Sequence, residues 1–261
     1  MNIIIQVINV PGYKSAISFG LVHIPVSLNP VISNNDTSFN MLHKDCLKRV
    51  KYKKYCYTCD EEVKNDDLVK GYRYAPDNYV TFDDEDFEKL KTENDRTIEI
   101  ISFVDLKEID PIYFEKSYYL VTDGKNRAFS LFKAALKSQN KVAIAKTVLG
   151  NKSYYVILRF GGNNIIMSTL FFEEEIRLFE DTDDETFTKK EMDLAAELIN
   201  NMTGKFRPEE YSDEYQNKIK EAIEKKIEGK EIKKVKSKKT KNITDLMSAL
   251  EESLKDTKGK K

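Results

Sequence analysis

The segment KVAIAKTVLGNKSYYVILRFGGNNIIMSTLF, residues 141–171, predicts a series of β-strands. It is rich in Val, Ile, Tyr and Phe, which favour strands, and it divides into three runs of strand length: 141–149, 154–160 and 164–171. Between the last two runs stands Gly161-Gly162-Asn163, a turn sequence typical of a β-hairpin. The segment therefore predicts antiparallel neighbours joined by short turns.

Further strands are predicted on the N-terminal side of this segment. Residues 97–104 and 117–122 are apolar runs of strand length. In 17–28 the apolar residues stand first at odd and then at even positions, and the switch beside Gly20 predicts a bulge or bend. Many closely spaced strands favour a mainly β fold, an antiparallel barrel, over a doubly wound parallel sheet.

One helix is predicted among these strands. Asn126 is suited to cap the sequence RAFSLFKAALKS that follows it. Phe129, Phe132 and Leu136 recur in it at helical spacing and form an apolar stripe. We therefore expect a helix inserted into the barrel sequence, with this stripe facing the core.

Two more helices are predicted after residue 185. The capping box Thr188-x-x-Glu191 begins the first, which ends before Gly204; the second follows Ser212 and ends at Gly229. Each carries an apolar stripe that predicts a packing surface, within the chain or with a partner: Met192, Ala195, Ile199 and Met202 in the first, and Tyr215, Ile219, Ala222, Ile223 and Ile227 in the second.

The last segment, residues 230–261, is a lysine-rich tail. Its linker KEIKKVKSKKTK, residues 230–241, has too little apolar surface to fold. Residues 242–255 are amphipathic, and so short a helix is marginal alone in water, which predicts a peptide that docks on a partner. Its apolar face comprises Ile243, Leu246, Met247, Leu250 and Leu254. The chain thus divides into an N-terminal extension (1–12), a barrel core (13–185), a helical C-terminal region (186–229) and the tail (230–261).

The formal net charge of −1 hides an uneven distribution of charge. Residues 230–261 hold 11 Lys and five acids, and residues 116–172 hold nine basic residues and one acid, Asp123. A third basic cluster lies in 44–54, whereas acids dominate 61–115 and 173–193. We expect the basic patches to bind phosphate and the acidic surface to repel DNA, and lysine predominance suits phosphate better than base reading. The predicted DNA-binding residues are Lys48, Arg49, Lys51, Lys53, Lys54, Lys125, Arg127, Lys133, Lys137, Lys141, Lys146 and Arg159.

The series His43-x2-Cys46-x9-Cys56-x2-Cys59 has the spacing of a zinc site. Two x2 pairs are typical of a closed tetrahedral site, and one His with three Cys predicts structural rather than catalytic zinc. The nine residues between the pairs, LKRVKYKKY, alternate basic and apolar groups like a hairpin, so that zinc at their base would stiffen a basic finger. The alternative is three reduced cysteines that pack as small apolar groups beside an unrelated histidine.

Signals for catalysis are weak. The second histidine, His23, lies in an apolar strand and is interpreted as a core residue. GxSxG, GxxxxGK[ST] and GxGxxG do not occur in the sequence. The acidic run 83–86 is interpreted as a helix N-terminus, and the acids of 173–184 as a surface that repels DNA rather than a two-metal nuclease site. We therefore expect no enzymatic activity.

The segment YKSAISFGLVHIPVSL, residues 13–28, resembles the opening of bacterial Ku proteins, the homodimeric DNA-end-binding factors of non-homologous end joining. Further matches follow in the same order: FNMLH (39–43), VKGY (69–72), EIDPIYF (108–114), KSYYL (116–120), DLM (245–247) and AL (249–250). Collinear matches over almost the whole chain are more specific than any single motif. Residues 1–12 precede the point at which the family usually begins.

The resemblance implies a Ku-type β-barrel whose two copies form a ring that threads onto duplex ends. Such a ring needs neither ATP nor a cofactor for DNA binding, and it delivers the ends to the ATP-dependent DNA ligase D, which the C-terminal region contacts. No apolar run approaches the ~20 residues of a membrane span, so we expect a cytoplasmic, nucleoid-associated protein with no membrane partner. The alternatives are a zinc-stabilised DNA-binding regulator that acts at internal sites and, behind it, a nuclease.

Overall fold

The computed structural model describes residues 13–34, 36–90, 97–150, 152–177, 179, 186–232 and 246–258. They divide into two compact units. The first contains the described residues up to 34 together with 41–177, and the second contains 36–40 and the described residues from 179 onward. The N-terminal extension 1–12, most of the lysine-rich linker and Ile243 lie outside the described residues.

Seven strands of the first unit close a barrel. In order around it they are β1 (Tyr13–Phe19), β2 (Val22–Pro30), β8 (Phe114–Val121), β11 (Asn164–Leu170), β10 (Lys152–Gly161), β9 (Val142–Leu149) and β7 (Ile98–Val104). Neighbours are antiparallel except β1 and β7, which close the barrel as a parallel pair with Ile17 opposite Ile98. The predicted mainly β, antiparallel barrel is confirmed.

Two-residue turns occur at both places where the sequence predicts a turn or a bend. At the β10–β11 hairpin Gly162 and Asn163 both take positive φ, +56° and +72°, as the two central residues of a type I′ turn require. Gly20 marks a hairpin and not the predicted bulge or bend. It takes φ +59° in a two-residue turn, after which β2 runs back along β1 with Ile24 opposite Ile17. Paired residues face the same side of a sheet, so the odd-to-even switch follows from the hairpin.

The inserted helix packs on the barrel as predicted. This helix, α2 (Arg127–Gln139), begins at Asn126, whose side chain accepts a hydrogen bond from the Phe129 backbone N–H at 2.9 Å. Phe129, Phe132 and Leu136 are buried and join a core cluster formed by the inward-facing residues of the strands, such as Leu158 and Met167. The helix is therefore fixed to the barrel through its apolar stripe, and its polar side chains lie outside that contact.

Between β2 and β7, the described residues of the first unit form two small sheets and one α-helix. They are β3 (Tyr55–Cys56) with β4 (Glu61–Glu62), β5 (Lys70–Ala75) with β6 (Asn78–Phe82), and α1 (Asp84–Lys89). Asp83 caps α1 by accepting the Asp86 N–H, so the interpretation of the acidic run as a helix N-terminus is confirmed. The predicted hairpin over 47–55 is wrong. Leu42 bridges Arg49 and Tyr55 pairs with Glu62, so this segment connects two separate small turns.

The second unit contains three helices, α3 (Lys189–Met202), α4 (Glu214–Ile227) and α5 (Leu246–Lys258). The capping box of Thr188 and Glu191 is confirmed at the start of α3. Helix α4 follows Ser212 as predicted, and the Asp213 carboxylate caps it by accepting the Gln216 N–H at 2.8 Å. No helix within the described ranges is long and apolar enough to cross a membrane.

The tail segment forms a helix that packs within the chain. Helix α5 lies against α3, Leu254 is buried, and Met247 and Leu250 are half-buried. In contrast, the stripe predicted for α3 is largely exposed at Met192, Ile199 and Met202. This face of α3 is thus an open apolar surface of the second unit.

Candidate nucleic-acid interface

Two predicted DNA-binding residues, Lys133 and Lys137, lie where α2 meets the tip of the β10–β11 hairpin. The Lys133 ammonium donates a hydrogen bond to the backbone carbonyl of Asn163, with 3.3 Å between Nζ and O. The Lys137 ammonium lies 5.2 Å from the centre of the Phe160 ring, a cation–π contact. These two lysines, four residues apart on α2, are therefore held at the hairpin by uncharged groups.

Arg159 lies at the same hairpin. A Cβ atom built on Gly161 would be 2.8 Å from the Arg159 guanidinium nitrogen Nη1 and 3.1 Å from Ile166 Cδ1. The guanidinium therefore occupies the space that a side chain at position 161 would fill. The sequence predicts Gly161 only as a turn residue. The signal for its contact with Arg159 is the spacing of the two residues, because residues i and i+2 lie on the same face of a strand.

Five of the DNA-binding residues predicted within 116–172 keep their charge free of acids. In the part of the chain that the structure describes, no carboxylate forms an ion pair with Lys125, Arg127, Lys133, Lys137 or Arg159. All five are exposed or half-buried. Such cations are available to phosphate without prior loss of an acidic partner.

Other cations of the same segment are paired with acids from elsewhere in the chain. The Lys141 ammonium lies 2.9 Å from Asp105 Oδ1, and that of Lys146 lies 3.2 Å from Glu99 Oε2. The count of one acid in 116–172 therefore overstated the free charge of this segment. Among the described residues, the acids that neutralise it come from β7, from the residue after β7, from Glu115 of β8 and from the turn Glu173–Glu175.

Glu175 holds two partners with its two carboxylate oxygens. Oε2 accepts the Phe172 backbone N–H at 2.9 Å, and Oε1 lies 3.1 Å from the Lys152 ammonium. The hydrogen bond from Phe172 and then that from Lys152 lower the pKa of Glu175, and the hydrogen bond with Glu175 raises the pKa of Lys152. Part of the acidic surface predicted to repel DNA is thus already matched by a lysine.

The basic cluster of 44–54 is exposed but only partly free. Lys48, Arg49 and Lys51 are exposed and have no acidic partner among the described residues, whereas Lys53 pairs with Glu62 and Lys54 donates to the Asn65 side chain. Of these five, only Lys53 is paired with an acid among the described residues, because the Asn65 side chain that holds Lys54 is uncharged. The prediction that all five bind DNA stays a prediction.

The four predicted metal ligands lie in two turns of the same shape. In the first turn the Leu47 N–H donates to the His43 carbonyl at 2.8 Å, and in the second the Asp60 N–H donates to the Cys56 carbonyl at 2.9 Å. The residue after each second ligand, Leu47 and Asp60, takes a positive φ of +54° and +57°. Each His-x2-Cys or Cys-x2-Cys pair is thus presented by a similar backbone.

Each turn brings its own two ligands together. Cys46 Sγ lies 3.3 Å from His43 Nδ1. Hydrogen bonds from the backbone and side chain of Cys59 lower the pKa of Cys56, and the side-chain bond with Cys56 raises the pKa of Cys59. Across the described ranges, no three His, Cys, Asp or Glu side chains are grouped closely enough to hold a metal, so the two pairs stand as separate halves.

His23 is exposed, which corrects its interpretation as a core residue. In β2 the buried positions are Ile24, Val26 and Leu28, so the odd position 23 faces outward on the opposite side of the strand. The apolar neighbours in the sequence belong to the other face.

Known proteins match this arrangement over most of the chain. Residues 18–194 match the family model described as Ku70/Ku80 beta-barrel domain. A protein of Lachnoclostridium phytofermentans is 40% identical over 247 residues, which cover 92% of this chain and 95% of that protein. One of Desulfitobacterium hafniense is 38% identical over 252 residues, 95% of this chain and 88% of that protein. One of Bacillus subtilis is 36% identical over 254 residues, 94% of this chain and 82% of that protein. All three carry the name non-homologous end joining protein Ku.

Proposed function

This chain belongs to the Ku family of non-homologous end joining proteins, and on that basis we propose that it binds double-stranded DNA ends without sequence preference, as a ring-shaped homodimer. The observation that carries the proposal is the set of exposed or half-buried cations, led by Lys133, Lys137 and Arg159, that the barrel and its inserted helix hold without acidic partners among the described residues. Lysine charge of this kind neutralises the phosphate backbone and carries no base information.

Threading accounts for preference for ends without any chemistry on the DNA. A ring that encloses a duplex enters only at an end, so its specificity is topological, and phosphate contacts supply the affinity. No catalytic step is required, and the names of the relatives reported above denote an end-joining protein.

The test is competition between supercoiled plasmid and the same plasmid made linear. We expect the linear form to be bound preferentially and the protein to be trapped when the ends of the linear form are sealed. Equal affinity for both forms would contradict threading and favour a regulator that binds internal sites. Cleavage of either form in Mg²⁺ or Mn²⁺ would instead support a nuclease.

We further propose that the tail contacts an ATP-dependent DNA ligase of the ligase D type. The support is the apolar face of α5, on which Met247 and Leu250 remain half-exposed. Deletion of 242–261 should abolish stimulation of the ligase while end binding by the remaining chain survives. A deletion variant that loses end binding or dimer mass, or that stimulates the ligase fully, would contradict this assignment.

We also propose that His43, Cys46, Cys56 and Cys59 bind a structural zinc ion, which DNA binding itself does not require. The support is the repeated turn: both ligand pairs are preformed, and a positive φ in a non-glycine residue follows each pair. Four ligands of this type suit a closed tetrahedral site, which would draw the two halves together.

Metal analysis of protein purified without chelator tests this site. We expect about one equivalent of zinc, lost in the Cys56→Ser, Cys59→Ser double variant and kept in Lys44→Gln, which changes a neighbouring exposed side chain that is not a proposed ligand. Less than a tenth of an equivalent in the unaltered protein would contradict the site.

A further inference from the structure

We infer that phosphate contact on the barrel is made by a hairpin-tip cluster of Lys133, Lys137 and Arg159, and that Phe160, Gly161 and Asn163 position these cations. The inference rests on the proposed binding of duplex DNA and narrows it. Of the basic residues in 133–159, it assigns the contact to these three and excludes Lys141, Lys146 and Lys152, which are paired with acids.

The partners of the cluster leave its charge undiminished. Lys133 is held by the Asn163 carbonyl and Lys137 by the face of the Phe160 ring, and neither group carries a net charge. Holding a lysine in this way limits the side-chain freedom that binding would otherwise remove. A phosphate that approaches the cluster therefore meets full positive charge on partly ordered side chains.

Arg159 is positioned by the lack of a side chain at Gly161. Its Nη1 lies 2.8 Å from where a Cβ on Gly161 would stand, so any other residue at 161 would displace the guanidinium or the Ile166 side chain. Because the guanidinium is the flexible end of a long side chain, it is the group that would move. Gly161 is thus a positioning residue for Arg159, in addition to its place next to the turn.

The lysines excluded from phosphate contact differ from the hairpin-tip cluster in having acidic partners. Lys141 and Lys146 are each within 3.2 Å of a carboxylate, so each pair has no net charge, and the carboxylate remains to repel a phosphate even when the lysine turns away from it. Exposed ion pairs of this kind are weak. The two lysines are therefore excluded from phosphate contact by the repulsion between the carboxylate and the phosphate, and not by the strength of the ion pair. Linear position does not separate the two groups, since the residues of both lie within 133–159.

The test compares two matched variants of the full-length protein on one blunt linear duplex over a range of KCl concentrations. Lys133→Gln with Lys137→Gln should weaken binding by about tenfold or more and reduce the slope of log K against log salt by about one for each lost contact. Lys141→Gln with Lys146→Gln removes the same charge but none of the proposed contacts, so it should leave the salt slope unchanged and weaken binding by a smaller factor, through the uncovered carboxylates alone. Equal losses in the two variants would overturn this assignment alone, whereas a lack of binding by the unaltered protein would overturn the proposed function.

Gly161 is tested in a double-mutant cycle with Arg159. Gly161→Ala should weaken duplex binding in the unaltered background and have no further effect in the Arg159→Gln background, because the displaced group is then already absent. A purely structural role would give the same loss in both backgrounds together with a lower melting temperature. That result, or no effect in either background, would contradict the positioning role.

Discussion

Lys146 of β9 and Glu99 of β7 stand directly opposite each other in the barrel wall, with 3.2 Å between Nζ and Oε2. Because the pair has no net charge, removing the carboxylate should free the lysine for phosphate. We expect Glu99→Gln to raise affinity for linear duplex at low salt by about threefold and to steepen the salt dependence by about one unit. Glu174→Gln, which also removes one exposed acid of the first unit, is the control for the general change in net charge. The same rise in both variants would show that the local pair does not matter.

This pair also shows which kind of contact cannot be predicted from the sequence. Lys146 and Glu99 are far apart in the sequence, and only the register of β7 against β9 brings them together. A count of charge along the chain cannot include such partners, so it overstated the basic patch. It also could not distinguish Lys146 from Lys137, whose partner is an aromatic ring.

Features that depend on neighbouring residues were predicted well. The Asn126 cap, the Thr188–Glu191 capping box and the Gly162-Asn163 turn are local patterns with a local physical cause, and all three are present. Alternation alone was less informative at Gly20. A phase switch arises from a bulge and from a two-residue hairpin alike, and the sequence does not say whether the chain reverses.

Two consecutive residues of α2 provide a test of the core. Phe132 is 7% exposed and joins the core cluster, whereas Leu131 beside it is 71% exposed. We expect Phe132→Ala to lower the free energy of unfolding by about 3–5 kcal/mol, since it leaves a cavity. Leu131→Ala should change it by less than about 0.5 kcal/mol. Denaturant unfolding measures both, and similar losses would contradict the way α2 is placed on the barrel.

The β1–β2 turn makes a prediction about backbone strain. Gly20 takes φ +59° and has open space around its Cα, so an added methyl group meets no atom but forces an unfavourable conformation. Gly20→Ala should therefore destabilise the barrel by about 1 kcal/mol. Gly204→Ala is the comparison, because Gly204 has the same open surroundings without positive φ and should be neutral or slightly stabilising. Thermal unfolding that ranks the two variants in the opposite order would argue against the hairpin.

Acid should destabilise the first unit through Glu175. Hydrogen bonds to Phe172 and Lys152 lower the pKa of this carboxyl below its ordinary value of 4.5, so the ionised form is favoured in the folded state. A carboxyl whose pKa is lowered by folding stabilises the protein above its unfolded pKa, and that contribution is lost as the pH falls through the folded pKa. Glu175→Gln should thus be less stable than the unaltered protein at neutral pH and should match it below the folded pKa. Glu174→Gln, which removes the adjacent exposed acid, is the matched control, and an identical change in both variants would contradict the role of Glu175.

The packing of α5 against α3 makes the last prediction. Leu254 is 6% exposed and is the most buried residue described in α5, and a helix of 13 residues is marginal when it stands alone in water. Leu254→Ala should therefore release α5, so that amide hydrogens of 246–258 exchange with solvent much faster while those of the barrel strands keep their protection. Lys255→Ala changes the exposed neighbour and should leave exchange unaltered. Unchanged protection in Leu254→Ala would mean that other contacts hold the helix. Faster exchange together with full ligase stimulation would mean that the ligase does not need the buried leucine, and would restrict the docking face to the half-exposed Met247 and Leu250.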